Sequence, residues 1–198
     1  MNTSTTQEKL LDAAMVLMLS KGYPATTVDE ICDRAGVSKG SFYHAYGSKE
    51  ELSLALLEWY HAGGSQKIFE GPFNQLPPHE RMLAFVDHIS KASQALWGSG
   101  CLLGNLGLEM ANTHPKIREQ VAGLFSRLED RLALIFAPAA KPEKPGGPSA
   151  RELAEDLLVM MEGAILLARV NQDWSVVHRS FDNFKNRLKA LAETPPRG

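Results

Sequence analysis

Cysteine is scarce in this chain: Cys32 and Cys101 are the only two in 198 residues. That excludes the disulfide-stapled scaffolds of small secreted domains, and no CxxC or paired Cys/His spacing offers a metal site. Long hydrophobic runs are missing as well. The most apolar stretch near the start, Ala13–Leu19, is bounded by Asp12 and Lys21 and has no basic segment ahead of it. It fits neither a signal peptide nor the ~20 apolar residues of a membrane span. Charge of one sign is not in excess either, since 21 Lys and Arg against 23 Asp and Glu leave −2. Any nucleic-acid binding must therefore come from a local patch. Strand signals are nearly absent, with β-branched residues clustering only at Thr26-Thr27-Val28. No Ser/His/Asp set, metal motif or glycine-rich phosphate loop points to catalysis or a cofactor. These absences lead us to expect a soluble, cytoplasmic, all-α chain that is not an enzyme and has no membrane partner.

What is present is helical spacing from end to end. Thr5 and Glu8 have capping-box spacing ahead of Leu10, Leu11, Ala14, Leu17 and Met18, and Gly22 closes that helix. Thr27 with Glu30 opens a short second helix whose Val28, Ile31, Cys32 and Ala35 face inward, ended by Gly36. Ser38 caps a third, ended by Gly47, and Ser48 with Glu51 opens a fourth through Leu52, Ala55, Leu56 and Trp59, toward Gly63-Gly64. A fifth starts at Pro78 and carries Met82, Phe85, Val86, Ile89 and Leu96; Cys101–Asn112 is the sixth. The seventh follows Thr113-His114-Pro115 with Ile117, Val121, Leu124, Leu128, Leu132 and Ile135 on one face. Four prolines and two glycines over 137–148 demand a loop. Ser149 with Glu152 caps the eighth, bearing Leu153, Leu157, Met160, Met161, Ala164 and Leu167. The ninth, from about Ser175 to Ala192, keeps Val177, Phe181, Phe184, Leu188 and Leu191 at four–three steps.

Residues 27–44 read as helix, short turn, helix. The second of these helices is too short to bury much. In a helix-turn-helix its N-terminal end enters the major groove, and here that end is Ser38-Lys39-Gly40-Ser41: one cation among small side chains. Tyr43 and His44 follow one turn later, suited to phosphate contact. Residues 34–49 hold Arg34, Lys39 and Lys49 without a carboxylate, although residues 1–53 hold five basic and seven acidic groups. Helix N-termini at Thr27, Ser38 and Ser48 add partial positive charge, and so small a patch implies a shallow salt dependence. Spacing alone leaves two readings open, a DNA-binding element or a tight three-helix corner.

The string Thr27-Val-Asp-Glu-Ile-Cys-Asp-Arg-Ala-Gly-Val-Ser-Lys-Gly-Ser-Phe-Tyr-His-Ala-Tyr-Gly-Ser-Lys-Glu-Glu-Leu52 decides between them. Over Lys9–Trp59 the chain resembles the DNA-binding domain of the TetR family of bacterial transcriptional regulators. It departs at Ala45-Tyr46, where the family usually has an aromatic pair, a change expected to alter packing beneath the turn. The resemblance implies that Thr27 caps its helix and touches phosphate. It implies that Ser38, Lys39 and Ser41 face the groove, that Gly40 permits close approach, and that Tyr43, His44 and Lys49 hold the DNA backbone. It further implies a homodimer of nine-helix chains that reads a palindromic double-stranded operator. Residues 1–50 would bind DNA, and residues 51–198 would bind a small-molecule effector and dimerise. The last two helices would form an intersubunit four-helix bundle, for which Leu157, Met161, Ala164, Val177, Phe181, Phe184 and Leu188 are the apolar candidates.

Gly100–Asn112 with His114-Pro115, and Glu162–Arg169, are similar to patterns at the sixth and eighth helices of some members. Cys101, Asn105 and Asn112 are expected to share a face with Leu108, and four glycines between 98 and 107 allow close helix approach. Cys101 has two readings, a reactive thiol at a helix N-terminus or a small buried apolar residue, whereas Cys32 reads as packing. Trp97, Asn105, Met110, Phe125 and Met161 are candidates to line an effector cavity with Cys101, although Met and aromatic residues also serve as plain core. Arg169 either anchors an anionic group or caps its helix, and His88 reads as a half-exposed helix residue. The alternative to ligand release is a switch through oxidation or electrophile modification of Cys101.

Overall fold

The computed structural model describes residues 5–142 and 147–193. Among them are nine α-helices and no strand: α1 Thr6–Lys21, α2 Val28–Ala35, α3 Lys39–Ala45, α4 Lys49–Phe69, α5 Pro78–Trp97, α6 Leu102–Met110, α7 Pro115–Phe136, α8 Ala150–Asn171 and α9 Ser175–Glu193. Local chemistry sets the starts. Thr5, Thr27 and Ser149 each accept from the backbone N–H three residues on, while Glu8, Glu30 and Glu152 reach back to the cap, so two orphan donors are satisfied at each end. The box expected at Ser48 is only half formed. Its hydroxyl accepts from the Glu51 N–H at 3.1 Å, but the Glu51 carboxylate accepts from the Gly47 N–H at 2.9 Å. Gly36, at φ 66°, stops α2 and opens the turn before α3, a conformation glycine adopts without the Cβ penalty. α3 ends at Ala45 with Tyr46 as its C-terminal cap, one residue before the expected Gly47.

The chain gathers into two compact units, and neither is one run of sequence. The first takes Met1–Gly63 with Ser99–Leu124, the second Gly64–Gly98 with Phe125–Gly198. α4 is continuous through Gly63-Gly64. In the first unit α1 packs on α2, α3 and α6, burying Leu10, Ala14, Met18, Ile31, Cys32, Phe42, Leu52 and Leu56. Gly107 lets α6 approach α7 closely, since a Cβ there would lie 3.0 Å from the Val121 side chain. In the second unit α9 packs on α5 and α8. Phe69, Phe85, Phe136 and Phe184 form a chain of ring contacts at 5.4–6.1 Å centroid spacing, burial worth roughly 2–3 kcal/mol for each full ring.

Several expected faces shift by one position. α7 buries Phe136 instead of Ile135, because a step of four from Leu132 keeps to the straight helix's 3.6-residue period. α8 buries Leu158, Ile165 and Ala168 with Leu153, Leu157, Met161 and Ala164, and leaves Leu167 half exposed. Trp59 is not inward-facing, and Ser53 and Leu57 fill that side of α4. The loop expected over 137–148 falls partly on residues 143–146, outside the described residues; at its neck the Lys141 N–H donates to the Pro148 carbonyl at 2.8 Å.

Candidate nucleic-acid interface

α3 has seven residues and buries only Phe42. Of the Ala45-Tyr46 departure from the family's aromatic pair, Tyr46 is buried beside Phe42 at 6.4 Å between rings, while Ala45 is half-buried. The other faces of α3 are open: Ser38, Lys39, Gly40, Tyr43 and His44 are exposed and Ser41 half-buried. Ser38 accepts from the Ser41 N–H at 3.1 Å, and the two hydroxyls are 2.9 Å apart. Gly40 has no packing reason to lack a side chain, because a Cβ there would meet only Ser38 Oγ at 3.7 Å.

A concave surface of about 660 Å³ runs beside α3, lined by Ser38, Gly40, Ser41, His44 and Ala45 and by Thr5, Thr6 and Gln7 at the start of α1. The sequence reading missed that Thr-Thr-Gln segment as part of this surface, having assigned Thr5 to capping alone. Four of the residues expected to contact DNA, Ser38, Gly40, Ser41 and His44, share one wall. Thr27, also exposed, caps α2, and its neighbour Glu30 has its pKa lowered to about 2, first by the Lys21 ammonium and then by the Thr27 cap.

Two lysines sit differently from expectation. Lys39 pairs with Asp29 of α2 at 2.8 Å, both side chains well exposed, and the contact raises the lysine pKa. Lys49 does not reach outward. Its ammonium donates to the carbonyls of Tyr23 at 2.9 Å and Thr26 at 2.8 Å, and lies 4.1 Å from the centroid of the Tyr23 ring. Burial lowers its pKa. Lys49 is therefore a brace for the α1–α2 loop, which corrects its assignment to the DNA backbone. That loop is also held by α6, where Glu109 accepts from the Tyr23 N–H at 2.8 Å. Beyond α6, His114 meets the Tyr23 ring edge-on at 5.1 Å.

The expected effector residues distribute over both units. Cys101, Asn105 and Met110 belong to α6 or its cap in the first, with Cys101 and Met110 buried. Trp97 and Met161 are buried in the second, Phe125 is half-buried there and Arg169 is exposed. Cys101 and Leu108 do not share a face, since Leu108 is 85% exposed. Nor are the seven apolar dimer candidates free to meet a second copy. Leu157, Met161, Ala164, Val177, Phe181, Phe184 and Leu188 are 0–5% exposed within the chain's own core, because the four–three repeat of α9 is satisfied against α5 and α8. The apolar side chains α8 leaves outside are Val159, Leu166, Leu167 and Val170.

A braced helix, a glycine turn and a short helix with a bare polar face define a DNA-binding helix-turn-helix protein. Among the described residues no group of His, Cys, Asp or Glu could hold a metal ion, and no helix is long and apolar enough to cross a membrane. Residues 10–56 match the sequence family of bacterial regulatory proteins, tetR family, and residues 78–181 match the C-terminal domain of LmrA/YxaF-like transcriptional regulators. The chain is 32% identical to the transcriptional regulator AcuR of Cereibacter sphaeroides, over 85% of this chain and 78% of that one. It is also 32% identical to the HTH-type transcriptional repressor NemR of Escherichia coli K12, over 94% and 96%. The crystal structure of the regulatory protein TetR from Rhodobacter sphaeroides superposes with a TM-score of 0.78 at 29% identity, covering 93% of this chain and 99% of that one. The chain belongs to the TetR family and is a DNA-binding transcriptional regulator, not an enzyme.

Proposed function

We propose that this regulator is a repressor that binds a palindromic operator as a homodimer and leaves it when a small molecule binds. The observation that carries the DNA reading is the outward presentation of Lys39, Gly40, Tyr43 and His44 on a helix that buries one side chain. In this reading residues 1–50 contact DNA and residues 51–198 bind effector and partner, while α6 carries the effector's signal through Glu109 to the α1–α2 loop. The second copy docks on the exposed apolar stripe of α8. Selection from a random duplex library tests this: enrichment of an inverted repeat supports it, and uniform recovery of sequences rejects it.

A second reading is favoured by the position of Cys101, buried immediately before α6, the helix that holds Tyr23. Oxidation or electrophile addition at that thiol adds bulk and polarity to a buried position, and α6 transmits the shift. Loss of DNA binding on treatment with N-ethylmaleimide in the wild type but not in Cys101→Ser supports this switch; equal loss in both rejects it.

A further inference from the structure

Three lysines around the helix-turn-helix are held by contacts within the chain, while Arg34 stays exposed at the end of α2. Lys21 pairs with Glu30, and Lys49 is occupied by two carbonyls. Lys39, the cation of the recognition helix, meets Asp29 at 2.8 Å. The two carboxylates in the first turn of α2 differ in what holds them. Glu30 is fixed by Lys21, by the Thr27 hydroxyl and by the Thr27 N–H, so its position does not depend on DNA. Asp29 is paired with the very group a duplex would draw on.

With side chains 62% and 60% exposed, that pair is weak enough for a phosphate to displace. The exchange gains little, because one anion replaces another and the freed Asp29 carboxylate is left at the surface facing the duplex. The cation that Lys39 frees from the DNA is also offset by the negative charge uncovered on Asp29, so the net counterion release on which sequence-independent binding mainly draws is small. Specific binding has another source. A matching base edge, such as guanine O6 and N7, offers Lys39 acceptors while Gly40 lets the backbone close on the groove.

We propose that Asp29 is a specificity-determining residue: by holding Lys39 in the free protein it suppresses binding to non-cognate duplex while leaving cognate binding largely intact. This rests on the DNA-binding reading above. The test compares wild type with Asp29→Asn on two probes, a random-sequence duplex pool and a palindrome enriched by the wild-type protein, between about 50 and 200 mM salt. Asp29→Asn should bind the random pool roughly three- to tenfold more tightly at the low-salt end. Its log affinity should fall with log salt by a slope about one unit steeper, and the selected-to-random ratio should shrink. Asp29→Ser should behave alike, Asp29→Glu should restore wild-type discrimination, and adding Lys39→Ala to Asp29→Asn should erase the gain. Unchanged affinity and slope in Asp29→Asn, or a gain that survives without Lys39, would overturn the proposal. A wild type that enriches no palindrome and does not bind the random pool would instead remove the DNA-binding reading, and this inference with it.

Discussion

The Glu109 carboxylate accepts a hydrogen bond from the Tyr23 backbone N–H at 2.8 Å, joining α6 to the loop between α1 and α2 across 86 residues of sequence. Gly22, at φ 84°, makes room for it, since a Cβ there would stand 2.8 Å from Glu109 Oε1. Thr26 closes the same loop by donating to the Gly22 carbonyl at 2.7 Å, and Lys49 holds it from α4. The entry into α2 is thus fixed from two helices, α6 and α4, and by the loop's own Thr26–Gly22 hydrogen bond.

Removing the acceptor leaves the part-buried Tyr23 N–H without its partner. Glu109→Ala should lower stability by about 1–2 kcal/mol, read as a reduced denaturant midpoint at unchanged slope. Glu109→Gln keeps an oxygen in place and should lose less than half of that. If α6 carries the effector's signal, Glu109→Ala should also blunt the response of DNA affinity to ligand. A variant that is destabilised yet fully responsive would detach α6 from the switch.

Stability and binding should part company at Gly40. Its Cβ position is nearly open, and alanine favours the helix over glycine by up to about 1 kcal/mol. Gly40→Ala should therefore raise the thermal midpoint by about 1–3 °C while weakening operator binding tenfold or more, because the added methyl stands between the recognition helix and the groove. Unchanged binding would show that α3 does not approach DNA at this residue.

The caps and the glycine stop at Gly36 were legible because each is written within a few consecutive residues. Lys49 was misread for the complementary reason. Its neighbours in sequence mark it as a surface cation, and only the folded path brings the Tyr23 and Thr26 carbonyls, 26 and 23 residues away, to its ammonium. The apolar repeat of α9 announced an interface truly but not whose. Periodicity reports that a face is buried, and the same Phe181 and Leu188 serve a core or a dimer equally well until α5 and α8 are seen to cover them. The exposed stripe on α8 was hidden because that helix is apolar on more than one face, with Ile165 and Ala168 inward while Leu166 and Val170 point away.

Acid should weaken the chain partly through Glu30. Its folded pKa of about 2 lies below the ordinary glutamate value of 4.5, so the unfolded chain takes up this proton first as pH falls. The stabilisation is complete above the unfolded value and is lost as pH drops through that window toward the folded one. Glu30→Gln keeps a side chain able to cap but cannot carry the charge paired with Lys21. Its thermal midpoint should lie below the wild type at pH 7, and the gap should narrow as pH approaches about 2–3. A gap constant across that range would mean that the charge at Glu30 contributes nothing to the fold.

Assembly through α8 can be separated from folding by the choice of residue. Val159, Leu166 and Val170 are 62–70% exposed, and they fall at the spacing of one helical stripe. Gly163, whose Cβ would meet nothing within 4 Å, lies on the same stripe and leaves room for a partner helix to approach closely. Leu166→Glu with Val170→Glu places four charges in a twofold interface while touching no internal contact of the chain. Sedimentation should show single chains with helical content and thermal unfolding still cooperative. Phe181→Glu, by contrast, buries a charge where the side chain is 1% exposed, and should cost the fold itself. A dimer that survives the α8 double variant would place the interface elsewhere on the chain, and DNA binding retained by a monomeric double variant would undo the twofold operator reading.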